Sequence, residues 1–173
     1  MNKEIESIIR HYQFDTIPVE GTLYKSTYVS TSINKDQPAG TAIIGLYAHQ
    51  PKSFSTFHRL TRDEVWHFYK GAAFWLHLIY PNGDYQKIVM GTDIFKGEKL
   101  QFVVPANVWQ AGEISTSGKY ALFGCTLAPG FTGDCFEGGN TDLLLQKYSQ
   151  HARIIQRLGV RDHGTQMPIG FQQ

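Results

Sequence analysis

At 173 residues, with 42% hydrophobic and 18% charged residues, the chain is long enough for one domain with a sizeable core and far from the composition of a disordered segment. A formal net charge of +1 without a long Lys/Arg block gives no electrostatic footprint for a nucleic-acid partner or an anionic membrane surface. Cys125 and Cys135 are too few for a disulfide framework and match no zinc-binding spacing, Met1 to Arg10 carries charges where a signal peptide needs an apolar run, and no segment reaches membrane-spanning length, so a soluble cytoplasmic protein with reduced thiols is expected.

In chain order, Ile5, Ile8, Ile9 and Tyr12 recur with helical period and predict a short amphipathic helix lying on the domain. From Gly21 onward the pattern shifts to short runs of β-branched and aromatic residues bounded by turn residues. These are Thr22 to Ser32, Gly40 to Ala48, Glu64 to Tyr69, Ala72 to Tyr80, Tyr85 to Gly91, Gln101 to Val104 and Tyr120 to Leu127. Lys70-Gly71 and Pro81-Asn82-Gly83-Asp84 read as tight turns and predict successive antiparallel pairing of the runs around them. Asp142 to Tyr148 reads as a short helix with Leu143, Leu144 and Leu145 free to dock, and His163 to Gln173 reads as a tail. The expected organisation is a helical segment at 1–16, a β-domain at 17–150 and a C-terminal extension at 151–173; many short strands without alternating helices mean a sandwich or barrel.

The stretch from Ser55 to Gly71 concentrates polar, titratable and aromatic groups. A strand over Glu64 to Tyr69 places Glu64, Trp66 and Phe68 on one face and Val65, His67 and Tyr69 on the other. A carboxylate sharing a face with two aromatic rings needs a cation, a hydrogen-bond donor, a metal or a proton, and His58 and Arg59 are the nearest candidates in sequence.

These residues resemble the first cupin motif: Glu64 is followed after six residues by Gly71, and His58 stands at the first-histidine position. The second-histidine position is Leu60. Gly97 to Gln110 resembles the second cupin motif, with Pro105 in place and Gln110 where that motif has its histidine. The match extends through Phe57-His58-Arg59, Asp63 to Gly71, Gln101, Val103-Val104-Pro105, Trp109-Gln110 and Gly124 to Phe131, spacings similar to a small branch of single-domain cupins of unassigned function. The resemblance implies an all-β double-stranded β-helix, the cupin jelly-roll barrel, with a short helix at each end. It also implies a homodimer built through sheet contacts and a polar pocket similar to that of the sugar-nucleotide epimerases of the rhamnose pathway. A shared fold does not carry their reaction across. The family's usual His-Pro-Glu-Gly-Gly and Tyr-Arg-Ser segments are replaced here by Pro18-Val19-Glu20-Gly21-Thr22 and Tyr28-Val29-Ser30, which removes an imidazole and a guanidinium from the pocket.

The expected catalytic pair is His58, moving a proton near neutrality, with Glu64 tuning it. Arg59, Gln101, Trp109, Gln110, Glu20 and Tyr24 are the expected ligand-binding residues; Trp66, Phe68 and Trp75 are assigned to the core, Cys125 to a buried inert thiol, and His67 and His77 to no catalytic role. With Leu60 and Gln110 at two ligand positions, only His58 and Glu64 of the usual four are kept, so no metal and no cofactor are expected; His58, Glu64 and Gln110 are the candidates if a metal binds. The leading functional reading is a metal-independent epimerase or isomerase acting on a small polar, carbohydrate-like ligand. The rivals are a non-catalytic metabolite-binding module and a metal-dependent dioxygenase or lyase.

Overall fold

The computed structural model describes residues 2–34, 37–161 and 164–171. Helix α1 (Lys3–Tyr12) is followed by β1 (Asp15–Thr16), β2 (Leu23–Val29), the two-residue strands β3 (Ile33–Asn34) and β4 (Gln37–Pro38), β5 (Thr41–Ala48), β6 (Ser55–Leu60), β7 (Glu64–Gly71), β8 (Phe74–Ile79) and β9 (Tyr85–Met90). Then come β10 (Gln101–Val104), β11 (Trp109–Ile114), β12 (Tyr120–Leu127), β13 (Phe136–Gly138), α2 (Thr141–Lys147) and α3 (Ala152–Leu158). Two antiparallel sheets, ordered β1-β2-β5-β12-β7-β10 and β13-β6-β11-β8-β9, face each other as a jelly-roll barrel. Their inner faces enclose the main core of Tyr47, Trp66, Phe68, Phe74, Leu76, Leu78 and Phe123.

Each sheet is also covered from outside. The Ile5, Ile8, Ile9 and Tyr12 stripe of α1 packs on Leu46, Ala48, Tyr120 and Leu122 of the six-stranded sheet, as its period predicts. Asn2 caps this helix by accepting from the Glu4 amide, and the Glu4 carboxylate holds the Tyr120 hydroxyl at 2.6 Å. Leu144, Tyr148, Ile155 and Leu158 of the C-terminal helices cover Phe57, Ile79, Trp109 and Ala111 on the five-stranded sheet. Full burial of each such aliphatic side chain contributes about 1.5–3 kcal/mol.

One turn differs from expectation. The β8–β9 hairpin forms at Pro81 to Asp84, with Ile79 opposite Tyr85, but β7 pairs with β10 and β12 while β8 pairs with β9 and β11. At Gly71 the chain crosses from one sheet to the other. Gly71 has φ +103°, and a Cβ there would run into the Tyr120 carbonyl, so the residue read as a hairpin turn serves as a barrel corner.

Strands β6, β11 and β13 and helix α3 were not among the expected elements. Of the expected tail, residues 164–171 fold over one end of the barrel; positions 163, 172 and 173 lie outside the described residues. Thr165 accepts a 2.6 Å hydrogen bond from the Gly138 amide, Met167 joins the main core, and the Phe171 ring lies 6.4 Å from that of Tyr24 and 6.1 Å from that of Phe131.

Candidate functional site

Glu20 enters the barrel from the turn before β2. The residues on either side of it, Val19 at φ +66° and Gly21 at φ +90°, occupy the left-handed region. A β-branched side chain held there costs on the order of 1–3 kcal/mol, strain that concentrates at functional segments. The turn is pinned by Gly21 N–H to the Ile17 carbonyl at 2.9 Å and by Thr56 N–H to the Glu20 carbonyl at 3.0 Å.

On β6 a bulge decides which side chains face inward. Gln110 pairs with His58, but Gly112 pairs with Ser55, so two residues of β11 span three of β6. The extra residue inverts the alternation, and Ser55 and His58, which an uninterrupted strand would place on opposite faces, both point inward.

The result is a buried polar cluster. Glu20, His58, Glu64 and Gln110 are each less than 10% exposed. The His58 ring stacks on Phe136 at 5.3 Å, its Nδ1 donates to the Thr56 carbonyl at 2.8 Å, and its Nε2 lies 3.8 Å from the Glu20 carboxylate. A carbonyl only accepts, so the proton of the neutral ring sits on Nδ1 and the lone pair on Nε2. The other Glu20 oxygen accepts from Ser55 at 2.7 Å and from Thr22, and Tyr47 donates to Ser55. Burial, followed by the Glu20 charge, holds the Tyr47 phenol well above its ordinary range, so it keeps its proton as the outer donor of this chain. Gly112 makes room for it: a Cβ there would collide with the Tyr47 hydroxyl.

Glu64 is 6% exposed. Gln110 donates to it at 2.6 Å, and Trp66 donates to the Gln110 carbonyl at 2.9 Å. An indole N–H is only a donor, so the Gln110 amide is fixed with its NH2 toward Glu64. Burial pushes the Glu64 carboxyl upward; His58 opposes the shift and Glu20 adds to it. Burial, then Glu64 and Glu20, push the Cys125 thiol well up, consistent with an inert protonated thiol.

A comparison with family models matches residues 6–138 to the family described as "Cupin superfamily (DUF985)". The chain belongs to the cupin superfamily. Among solved structures this cupin is similar to a protein from Shewanella oneidensis, at 32% identity over 91% of this chain and 98% of that one, with a TM-score of 0.84. A hypothetical protein from Leishmania major is 27% identical over 90% of this chain and 98% of that one, at a TM-score of 0.81. A cupin 2 conserved barrel domain protein from Rhodopseudomonas palustris, 10% identical over 82% of this chain and 81% of that one at a TM-score of 0.51, shares the fold alone. A comparison with curated proteins gives no match.

Many cupins hold a metal at the motif positions present here, but the side chains of this cupin do not fit one. Leu60 offers hydrocarbon and Gln110 presents N–H donors with its oxygen committed to Trp66, which leaves His58 Nε2 as the one nitrogen ligand at the motif positions. Among the described residues no group of three or more His, Cys, Asp or Glu is placed to hold a metal ion.

Of the expected site residues, the fold brings together His58, Glu64, Gln110 and Glu20. Tyr24 lines the same interior near the covered end, its phenol pushed up by burial and then by the Asp15 and Glu20 charges. Arg59, Trp109 and Gln101 stand elsewhere. Because His58 and Gln110 face inward, their neighbours Arg59 and Trp109 face outward, where the guanidinium lies 4.7 Å over the indole and its Nε donates to Glu137 at 2.8 Å. Gln101 is exposed on the outer face of β10, beside His67 at 3.2 Å. Sequence reasoning missed Thr22, Tyr47 and Ser55. Thr22 adjoins Glu20 and carried a weak signal, whereas Ser55 depends on the bulge.

Proposed function

We propose that this cupin binds a small polar, carbohydrate-like metabolite inside the barrel and moves a proton on it without a metal, in the manner of an epimerase or isomerase. One observation carries the reading: His58 is anchored through Nδ1, leaving Nε2 as a proton acceptor 3.8 Å from the buried Glu20 carboxylate, in a cluster that also holds buried Glu64. Nε2 removes a proton from the carbon beside a ligand carbonyl, and the electron pair moves onto the carbonyl oxygen. Glu64, its carboxyl pushed upward by burial, is the group assigned to return a proton to that carbon; a proton passed from His58 to Glu64 resets the pair. The hydroxyls of Thr22, Ser55 and Tyr47 provide donors and acceptors suited to ligand hydroxyls.

Because every polar group of the cluster is buried, a ligand needs a way in. Segment 164–171 closes the end lined by Tyr24 and Phe131, and we assign entry to its displacement. The same enclosure favours a second reading, a non-catalytic module that retains a metabolite. Incubating the protein in D2O with a panel of keto- and nucleotide-sugars separates the two. Carbon-bound deuterium, lost in His58→Asn, supports proton transfer; saturable binding without exchange supports the module, and exchange undiminished in His58→Asn sinks the assigned role of His58.

The proposed partner is a second copy of this chain, docked on the outer face of the six-stranded sheet, where Tyr69, Leu100 and Val103 are exposed next to the free edge of β10. Light scattering at micromolar concentration is expected to give the mass of a dimer, and a monomer there refutes it.

A further inference from the structure

The outer face of the five-stranded sheet carries a second titratable cluster that the barrel chemistry does not use. His77 on β8 is 2% exposed, and both of its ring nitrogens are engaged. Nε2 lies 3.0 Å from Glu113 on β11, and Nδ1 lies 2.7 Å from the Tyr85 hydroxyl on β9. The same Glu113 oxygen is held by Arg157 of α3 at 2.5 Å. The chain Arg157–Glu113–His77–Tyr85 ends at a cavity of about 350 Å³ lined by Tyr85, Gln150, His151, Arg153, Ile154 and Arg157. Ile79, on the same face as His77, packs under the C-terminal helices, whereas Leu76 and Leu78 point into the barrel. The sheet therefore separates this cavity from His58.

The cavity chemistry is that of an anion site with an apolar wall. Arg157 is balanced by Glu113, while Arg153 makes no hydrogen bond or ion pair among the described residues, which leaves one uncompensated guanidinium facing the cavity beside the Ile154 side chain and the Tyr85 ring. One net positive charge and a planar fork of donors match a carboxylate head with a short hydrocarbon body.

The relay behind Tyr85 sets the direction of its hydroxyl. A carboxylate accepts only, so in the neutral ring the His77 proton sits on Nε2 toward Glu113, and Nδ1 accepts the Tyr85 proton. Tyr85 then offers a cavity ligand nothing but lone pairs. When His77 takes a second proton, both ring nitrogens become donors and the Tyr85 O–H is released to donate into the cavity. The charged and titratable groups around this relay are Glu113 on β11, Tyr85 and Lys87 on β9, and His151 and Arg157 from the C-terminal helical segment; the Lys87 amine lies 4.7 Å over the Trp75 ring and His151 donates to the Gly83 carbonyl at 2.8 Å.

We propose that this cavity is a second ligand site, independent of the barrel interior, which binds the carboxylate of a small organic acid through Arg153, Arg157 and Tyr85 and takes up a proton at His77 as it does so. The test is isothermal titration of the full-length protein with propionate, in two buffers of different ionisation enthalpy, with inorganic phosphate titrated in parallel. Saturable propionate binding with net proton uptake is expected. Arg153→Ala and Tyr85→Phe are each expected to weaken binding about tenfold, and Tyr85→Phe to abolish the proton uptake. Neither side chain lies in the core, so both variants are expected to fold, which circular dichroism checks. Absence of saturable propionate binding overturns the proposal, as does binding unchanged in both variants. Phosphate binding tighter than propionate overturns the carboxylate assignment.

Discussion

The protein holds two buried histidines beside carboxylates on opposite faces of one sheet, and they are wired differently. Outside the barrel, His77 has both nitrogens hydrogen-bonded and its carboxylate partner is neutralised by Arg157, so within the Arg157–Glu113–His77–Tyr85 relay each charge has a counterpart. Inside, His58 has one nitrogen anchored and the other 3.8 Å from Glu20, too far for a hydrogen bond, while a second carboxyl is buried nearby without a guanidinium or ammonium partner among the described residues. Fully partnered groups stabilise a structure and relay a proton between fixed stations; a base left with a free nitrogen in a dry site is the arrangement that can act on a ligand.

The largest effect that separates the two regions is expected from His58→Asn. It should lower any proton-transfer rate at least a hundredfold while the protein stays folded, with a stability cost of about 1–3 kcal/mol for shortening a ring that is 2% exposed. A fold lost along with activity would assign His58 a structural role instead. Next, Gly112→Ala drives a methyl group into the Tyr47 hydroxyl and is expected to cost about 1–3 kcal/mol in denaturant unfolding; an unchanged midpoint would show that the Tyr47–Ser55–Glu20 chain is not rigidly placed.

Glu64→Gln separates the two regions through pH. Burial raises the folded-state Glu64 carboxyl above its unfolded value, so its contribution to stability is present at acid pH and is lost as pH rises through the folded value. The amide does not ionise. Relative to the native chain, Glu64→Gln is expected to gain stability as pH rises above about 4.5, and melting curves that run parallel across pH contradict the assigned shift.

Phe171→Ala tests the cover over the barrel end. Labelling of Cys135, buried beside the segment that Phe171 packs against, is expected to accelerate several-fold without a matching loss of global stability, and an unchanged rate argues against entry at that end. The smallest effect belongs to Arg59→Ala on the outer face. Its partner Glu137 is partly solvent-exposed, so about 1 kcal/mol or less is expected; a larger loss would mean that the Arg59–Trp109 stack anchors the C-terminal helices.

The fold was legible because its signals are local. The α1 stripe, the alternation in β7 and the Pro81 to Asp84 turn are each written in a few adjacent residues, and each is present in the structure. The motif spacing led to His58, Glu64 and Gln110, and the fold brings those three together with Glu20. What failed needed information from a neighbouring strand. Gly71 reads as a hairpin turn unless its proximity to Tyr120 is known, and Ser55 reads as facing away from His58 unless the bulge against β11 is known. The grouping of Trp109 with Gln110 and of Arg59 with His58 set aside the period of two, which sends consecutive strand residues to opposite faces. Helix α3 had a readable signal in the helical spacing of Ile154, Ile155 and Leu158, which dock on the sheet.

The central claim is that the barrel interior works by protonated and hydrogen-bonding side chains without a metal. Native mass spectrometry on freshly prepared protein that has met no chelator, with elemental analysis of the same sample, tests it most directly. Substoichiometric transition metal is expected and, where a mass is retained, an organic one. A stoichiometric metal lost on His58→Asn would contradict it.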